Sequence, residues 1–216
     1  MRVVILVIVG WLGVFFALSL LLLLGGVIAR WSGKDPQLHS DEWPSIAHLR
    51  RVGDRLLVGG QTTLQEYEEL ADHGVTLVID ARTGSRADLS HDDADELAAI
   101  GLDYVSLPIT DGRAPTPAQV RRFLRIIDRA DGLVFAHCGG GVGRSTSLAA
   151  AYEAALGQDP SVLEQVAVGP PSLEQIWYVG TLRPDHPDHH INPAIAVVSR
   201  VVDAPRTLYG WVKSWL

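Results

Sequence analysis

The stretch Val134–Thr146, VFAHCGGGVGRST, leaves its own backbone few choices. A short apolar run reads as a buried strand. Glycines at 139, 140, 141 and 143 then form a tight loop, and Ser147–Tyr152 continues as a helix. Glycine carries no Cβ, so such a loop can curl with successive N–H groups turned inward. Inward N–H groups make a nest for an anion, and the helix that follows adds the positive end of its dipole. Cys138, the only cysteine of the chain, stands where strand becomes loop, and Arg144 where loop becomes helix. The nest favours the thiolate over the thiol. Arg144 offers a planar fork of donors that can hold two oxygens of one phosphate. The bland alternative is a core cysteine beside a glycine-rich turn, the commoner fate of a lone cysteine.

His137, Cys138, Arg144 and Ser145 together spell His-Cys-x5-Arg-Ser. This resembles the signature of the cysteine-dependent protein tyrosine and dual-specificity phosphatases. Leu57–Gln61, Gly74–Arg82 and Ser172–Tyr178 are similar to the opening and closing segments of the small bacterial members, so the likeness runs over about residues 50–180. It implies a phosphoric monoester hydrolase working through a thiophosphoryl intermediate, with no metal and no cofactor. Cys138 would be the nucleophile. Arg144 and the loop of Gly139, Gly140, Gly141, Val142 and Gly143 would hold the phosphate. Ser145 would ease departure of the thiolate and His137 would support the thiol structurally, although His137 reads equally well as a satisfied core histidine.

Such a reaction also needs an acid to protonate the leaving oxygen. Asp111 lies in Leu107–Thr116, a turn-rich loop after a strand and before a capped helix, at the same end of the sheet as Cys138. It matches the family's acid in context and order; the competing reading is that Asp111-Gly112 is a plain turn pair. Asp80 and Arg82 lie at the end of a neighbouring strand and either line the pocket mouth or form a simple surface salt bridge. Gln175 reads as a packing or capping residue. The run Arg183–His190 holds three histidines and two aspartates, but its proline-broken spacing makes a poor metal site.

Elsewhere the pattern alternates strand and helix. Strands are expected at Arg55–Gly59, Val75–Ile79, Tyr104–Leu107 and Leu133–Ala136. Helices are expected at Thr63–His73, at His91–Ile100 with Ser90 as cap, and from Thr116-Pro117 onward. Two short helices should follow Asp159-Pro160 and Ser172. The alternation predicts an α/β fold: a mostly parallel central sheet with helices on both faces and the phosphate loop between strand and helix.

Val3–Ala29 contains no charged residue and outlasts the roughly 20 residues that cross a bilayer. It is expected to be an uncleaved transmembrane helix. A signal peptide ending at Val27-Ile28-Ala29 is the alternative, disfavoured because the run exceeds the roughly 7–15 residues of a signal core. Arg30 and Lys34 against Arg2 lean toward a single pass with the catalytic side in the cytoplasm. The division expected is anchor 1–30, linker 31–45, phosphatase domain 46–185 and tail 186–216. Ile195–Asp203 and Thr207–Leu216 are amphipathic, with Trp211 and Trp215 suited to headgroups or to packing on the domain. A net charge of −7 argues against a nucleic-acid partner. A phosphoprotein substrate is the default, and a phospholipid headgroup is the alternative that a membrane anchor raises. A non-catalytic phosphate-binding adaptor would be expected to lack the nucleophile or the acid, and candidates for both are present.

Overall fold

The computed structural model describes residues 2–38, 42–83 and 91–205, so Ser90 and the Thr207–Leu216 stretch fall outside the described residues. Helix α1 (Arg2–Trp31) is followed by strands β1 (Arg50–Val52) and β2 (Leu56–Gly59), then α2 (Leu64–Asp72), β3 (Val75–Asp80) and α3 (His91–Ala99). Next come β4 (Asp103–Ser106), α4 (Pro117–Arg129), β5 (Leu133–His137) and α5 (Arg144–Ala155). Three more helices, α6 (Val162–Val168), α7 (Leu173–Thr181) and α8 (Pro193–Val202), complete the described chain.

The strands form one sheet in the order β1-β2-β5-β3-β4, parallel throughout except for the antiparallel β1–β2 pair. This is the expected mostly parallel α/β sheet. β1 is the element the sequence did not announce. Two of its three residues are arginines, yet Arg50–Val52 pairs with Leu56–Val58 across a turn at Gly53, whose φ of +57° suits glycine. As an edge strand it tolerates charge that a central strand would not.

β5 occupies the middle of the sheet, and its side chains alternate between the two faces. Val134 and Ala136 join Val58, Ile79, Phe123, Ile127 and Leu148 on the side of α4 and α5. Phe135 joins Leu57, Tyr67, Leu70, Val78 and Leu97 on the side of α2 and α3. Each large side chain buried this way contributes about 1.5–3 kcal/mol. The helix starts follow the local chemistry. Thr63 with Glu66, Thr116 with Gln119 and Ser172 with Gln175 each close a reciprocal capping box.

α1 is long and apolar enough to cross a membrane, and one face of it is occupied. Trp11, Phe15, Ser19, Leu22, Gly26 and Ala29, spaced by three or four residues, are among the positions withdrawn from the surface, with Leu12 and Gly25 beside them. Gly26 abuts α6 so closely that a Cβ there would lie 2.7 Å from the Val166 carbonyl oxygen. Arg30 Nε donates to the Ala167 carbonyl at 2.6 Å, and Trp11 Nε1 donates to that of Val201 at 2.6 Å. The connecting segment is also attached: Leu38 N–H donates to Leu49 O at 2.8 Å, and Trp43 stacks on His73.

Candidate active site

β5 ends in the middle of the sheet, and the loop it feeds is held from β2. Cys138 N–H donates to Gly59 O at 3.3 Å and Gln61 N–H donates to Gly139 O at 3.0 Å. Gly141 is required twice over. Its φ is +71°, and a Cβ would come within 2.8 Å of Gly60 N and 2.9 Å of Ala47 O. The loop ends in α5, whose Gly143 cap position makes no side-chain cap bond. Thr146 instead donates its hydroxyl back to the Val142 and Gly143 carbonyls, tying the last loop residues to the helix. Val142 is pinned from outside by Gly169, where a Cβ would reach its methyl at 2.8 Å.

Inside this loop Cys138 is 2 % exposed, with its sulfur 3.4 Å from the Ser145 hydroxyl oxygen. Arg144 crosses the loop mouth. Its Nη1 lies 3.5 Å from Ala81 O and 3.4 Å from Ile109 O, and its Nη2 is 3.3 Å from Asp111 Oδ1. Carbonyls from the end of β3 and from the loop after β4 therefore aim the guanidinium. Asp111 has 74 % of its side chain exposed, against 11 % for Arg144, so it is a rim group able to reach inward. The loop glycines 139, 140, 141 and 143, Val142, Cys138, Arg144, Ser145 and Asp111 thus share one end of the sheet.

His137 is fully buried, and burial pushes its imidazole down to about 4, outweighing the nearby Asp80 carboxylate that pulls the other way. It is therefore neutral near pH 7, and the 3.9 Å approach to Asp80 is not an ion pair there. Its Nε2 is 3.0 Å from the Tyr67 hydroxyl and its ring stacks on Phe135. Asp80 and Arg82 pair with each other: Arg82 Nη2 donates to Asp80 Oδ2 at 2.7 Å, with Asp80 wholly buried. That pair is an interior clamp rather than the surface bridge expected of charged residues.

Gln175 does more than cap. Its Oε1 accepts from Ser172 N–H at 3.0 Å while its Nε2 donates to Arg113 O at 3.1 Å, in the Asp111 loop. Glu174 beside it accepts from Arg113 Nη1 at 2.9 Å and Ala114 N–H at 3.1 Å, and Ser172 Oγ donates to Gly112 O at 2.7 Å. The capping-box pattern foretold the helix but not this second use of the same turn. Of the histidines in 183–190, His189 serves packing while His186 and His190 are exposed. His189 stacks on Tyr178 at 5.0 Å and meets the Thr181 hydroxyl at 2.7 Å, while Asp188 accepts from Arg121 at 2.6 Å.

Residues 40–175 match a protein-family model described as DSP-PTPase phosphatase fused to NAD+ kinase. Among curated proteins, the chain is 32 % identical over 94 residues to a beta-lactamase hydrolase-like protein of Agrobacterium fabrum. It is 37 % identical over 81 residues to the human dual specificity protein phosphatase CDC14C. These alignments cover 42 % and 38 % of this chain but only 22 % and 17 % of those proteins. A crystallised DUF442 phosphatase of Shewanella putrefaciens shares the fold at a TM-score of 0.50 and 23 % identity, covering 74 % of this chain and 94 % of that one.

Proposed function

The chain belongs to the cysteine-based dual-specificity phosphatase family, and on that premise we propose that it is a membrane-tethered phosphomonoesterase acting through Cys138. The observation that carries the reading is the meeting of three groups: a buried thiol on the loop floor, Arg144 across the mouth, and Asp111 within 3.3 Å of that arginine. The Cys138 thiolate attacks phosphorus, and the ester oxygen leaves with the Asp111 proton. Water then attacks the thiophosphoryl group, gives its proton to Asp111 and releases inorganic phosphate and thiolate. Arg144 and the loop N–H groups hold the equatorial oxygens, where negative charge gathers. Ser145, 3.4 Å from the sulfur, offers its hydroxyl to the departing thiolate. His137 is a scaffold residue that fixes the start of the loop.

Residues 1–30 act as the anchor, 31–45 as linker, 46–185 as the phosphatase unit and 186–216 as a tail. The cytoplasmic side is favoured by Arg30 and Lys34. A phosphoprotein substrate, tyrosyl or mixed, is supported by the likeness to a dual specificity protein phosphatase. A second substrate class, a phospholipid headgroup, is favoured by the apolar helix clasped to the domain and by the exposed Val197, Val198 and Val201 of α8. The loop has no lysine for additional phosphates, which favours a singly phosphorylated headgroup.

The test is phosphate release, in EDTA, by detergent-solubilised wild type and Cys138→Ser. A phosphotyrosyl peptide and a phosphatidylglycerol-phosphate-type lipid in vesicles would be compared. Turnover of the peptide that disappears in Cys138→Ser is the expected result. Preference for the lipid moves the assignment to the second class, and a variant as active as wild type overturns the thiolate mechanism.

A further inference from the structure

The first turn of α7 holds the Asp111 loop through Gly112 O, Arg113 O, the Arg113 guanidinium and Ala114 N–H. That turn is itself held from α8, beyond the residues of the family match. Glu174 N–H donates to Ser199 Oγ at 3.0 Å, and Leu173 N–H donates to Asp203 Oδ2 at 3.3 Å. Ser199 Oγ donates its own proton to the same Asp203 oxygen at 2.7 Å, so one serine and one carboxylate occupy two otherwise unpaired helix-start donors. The negative charge of Asp203 also suits the positive end of α7. Ser199 is 3 % exposed while Val197, Val198 and Val201 of the same helix are open, so α8 turns a polar contact toward α7. Two residues on, Val201 O accepts from Trp11 of α1.

We propose that Ser199 and Asp203 are positioning residues for the general acid, acting through the first turn of α7 to hold the 110–114 loop where Asp111 reaches the leaving oxygen. The inference rests on the reading of Asp111 as that acid. A purely structural role lowers activity on every substrate alike. In the leaving-group step, a positioning role for the acid shows where the leaving group needs a proton, whereas the later attack of water is common to all substrates. Nitrophenyl phosphate departs readily without one, whereas phenyl phosphate does not.

The experiment uses the full chain in detergent and measures kcat/KM, which reports the steps up to departure of the leaving group, on both esters for wild type, Ser199→Ala, Ser199→Thr, Asp203→Ala and Asp111→Asn, with a melting curve for each. Losing its bond to the α7 turn is expected to lower kcat/KM on phenyl phosphate about tenfold in Ser199→Ala and in Asp203→Ala. On nitrophenyl phosphate kcat/KM should stay within about twofold of wild type, and Ser199→Thr should recover most of the loss. Asp111→Asn should show the same selectivity more strongly. If Asp111→Asn is selective for the poor leaving group and the α8 variants are not, the strut is refuted and the acid survives. If Asp111→Asn shows no selectivity, the acid assignment falls and the strut falls with it. Should Ser199→Ala melt below the assay temperature, the decision passes to Asp203→Ala, whose side chain is only partly buried.

Discussion

Gly143→Ala is a sharp test of how the 139–143 loop and the 110–114 loop are joined. Gly143 has φ −108°, a value alanine adopts readily, so the backbone itself resists little. The added methyl meets something else: the Gln175 amide, with Oε1 at 2.5 Å and Nε2 at 2.7 Å from the new Cβ. That amide is the end of a flexible side chain and can swing aside. Swinging breaks the bonds from Ser172 N–H at 3.0 Å and to Arg113 O at 3.1 Å. Each is worth about 1 kcal/mol net, and about 1–3 kcal/mol where a buried group is left unpaired, so the tie between the first turn of α7 and the 110–114 loop loses about 2–4 kcal/mol of support. Roughly half of that expressed in the transition state gives a fall of about 5–30-fold in kcat/KM. The assay is a double-mutant cycle on a phosphotyrosyl peptide with Gly143→Ala, Gln175→Ala and the pair. If the damage runs through Gln175, the alanine at 143 costs little once the glutamine is gone. Fully additive losses would refute the argument and point to displacement of Arg144 instead.

Other outcomes are equally specific. Arg144→Lys keeps the charge but loses the bidentate fork, so kcat should fall at least a hundredfold, about 3 kcal/mol, with stopped-time assays at saturating substrate as the check. His137 is buried neutral with its pKa depressed from 6.5 to about 4, so the unfolded chain takes up the proton first as pH falls. Its stability contribution is whole above about pH 6.5 and is lost between there and about pH 4, up to about 3 kcal/mol. Denaturant titrations at pH 7.5 and about 4.5 should show a smaller acid loss in His137→Asn than in wild type. Gly26→Leu should unseat α1 from α6, where even a Cβ meets a carbonyl at 2.7 Å, and lower the melting temperature by several degrees. An unchanged melting curve would show that the helix is not held there.

The site was legible because its parts are consecutive. Cys138 to Ser145 form one uninterrupted stretch, and glycine at 141 answers a demand of φ and of space that the spacing already implied. Asp111 is singled out by order and context, as a loop residue between a strand and a capped helix, and the structure sets it 3.3 Å from Arg144. What escaped were contacts made across the chain by residues with an adequate local role. Gln175 closes a capping box, which hides its second bond to Arg113 O some sixty residues away. Arg50-Arg51 carries no apolar alternation, so β1 emerges only when β2 offers an edge. Gly26 and Ala29 look the same in a helix facing lipid and in one facing protein, and only the nearness of Val166 distinguishes them.

That helix face bears on how the domain meets a bilayer. The clasp runs from Trp11 to Arg30. Twenty helical residues reach about 30 Å, the thickness of a hydrocarbon layer. A bilayer that takes in this clasped part of α1 would therefore rise around α8 as well. Val197, Val198 and Val201 would face acyl chains, and the exposed Arg200 would extend toward the headgroups. The domain would then sit partly sunk in one leaflet rather than hanging from a leash, with the Cys138 loop at a set depth and tilt. Replacing α1 with an unrelated apolar helix would keep the protein on the membrane but free that depth. Substrates presented at one height would lose their advantage over substrates presented at another.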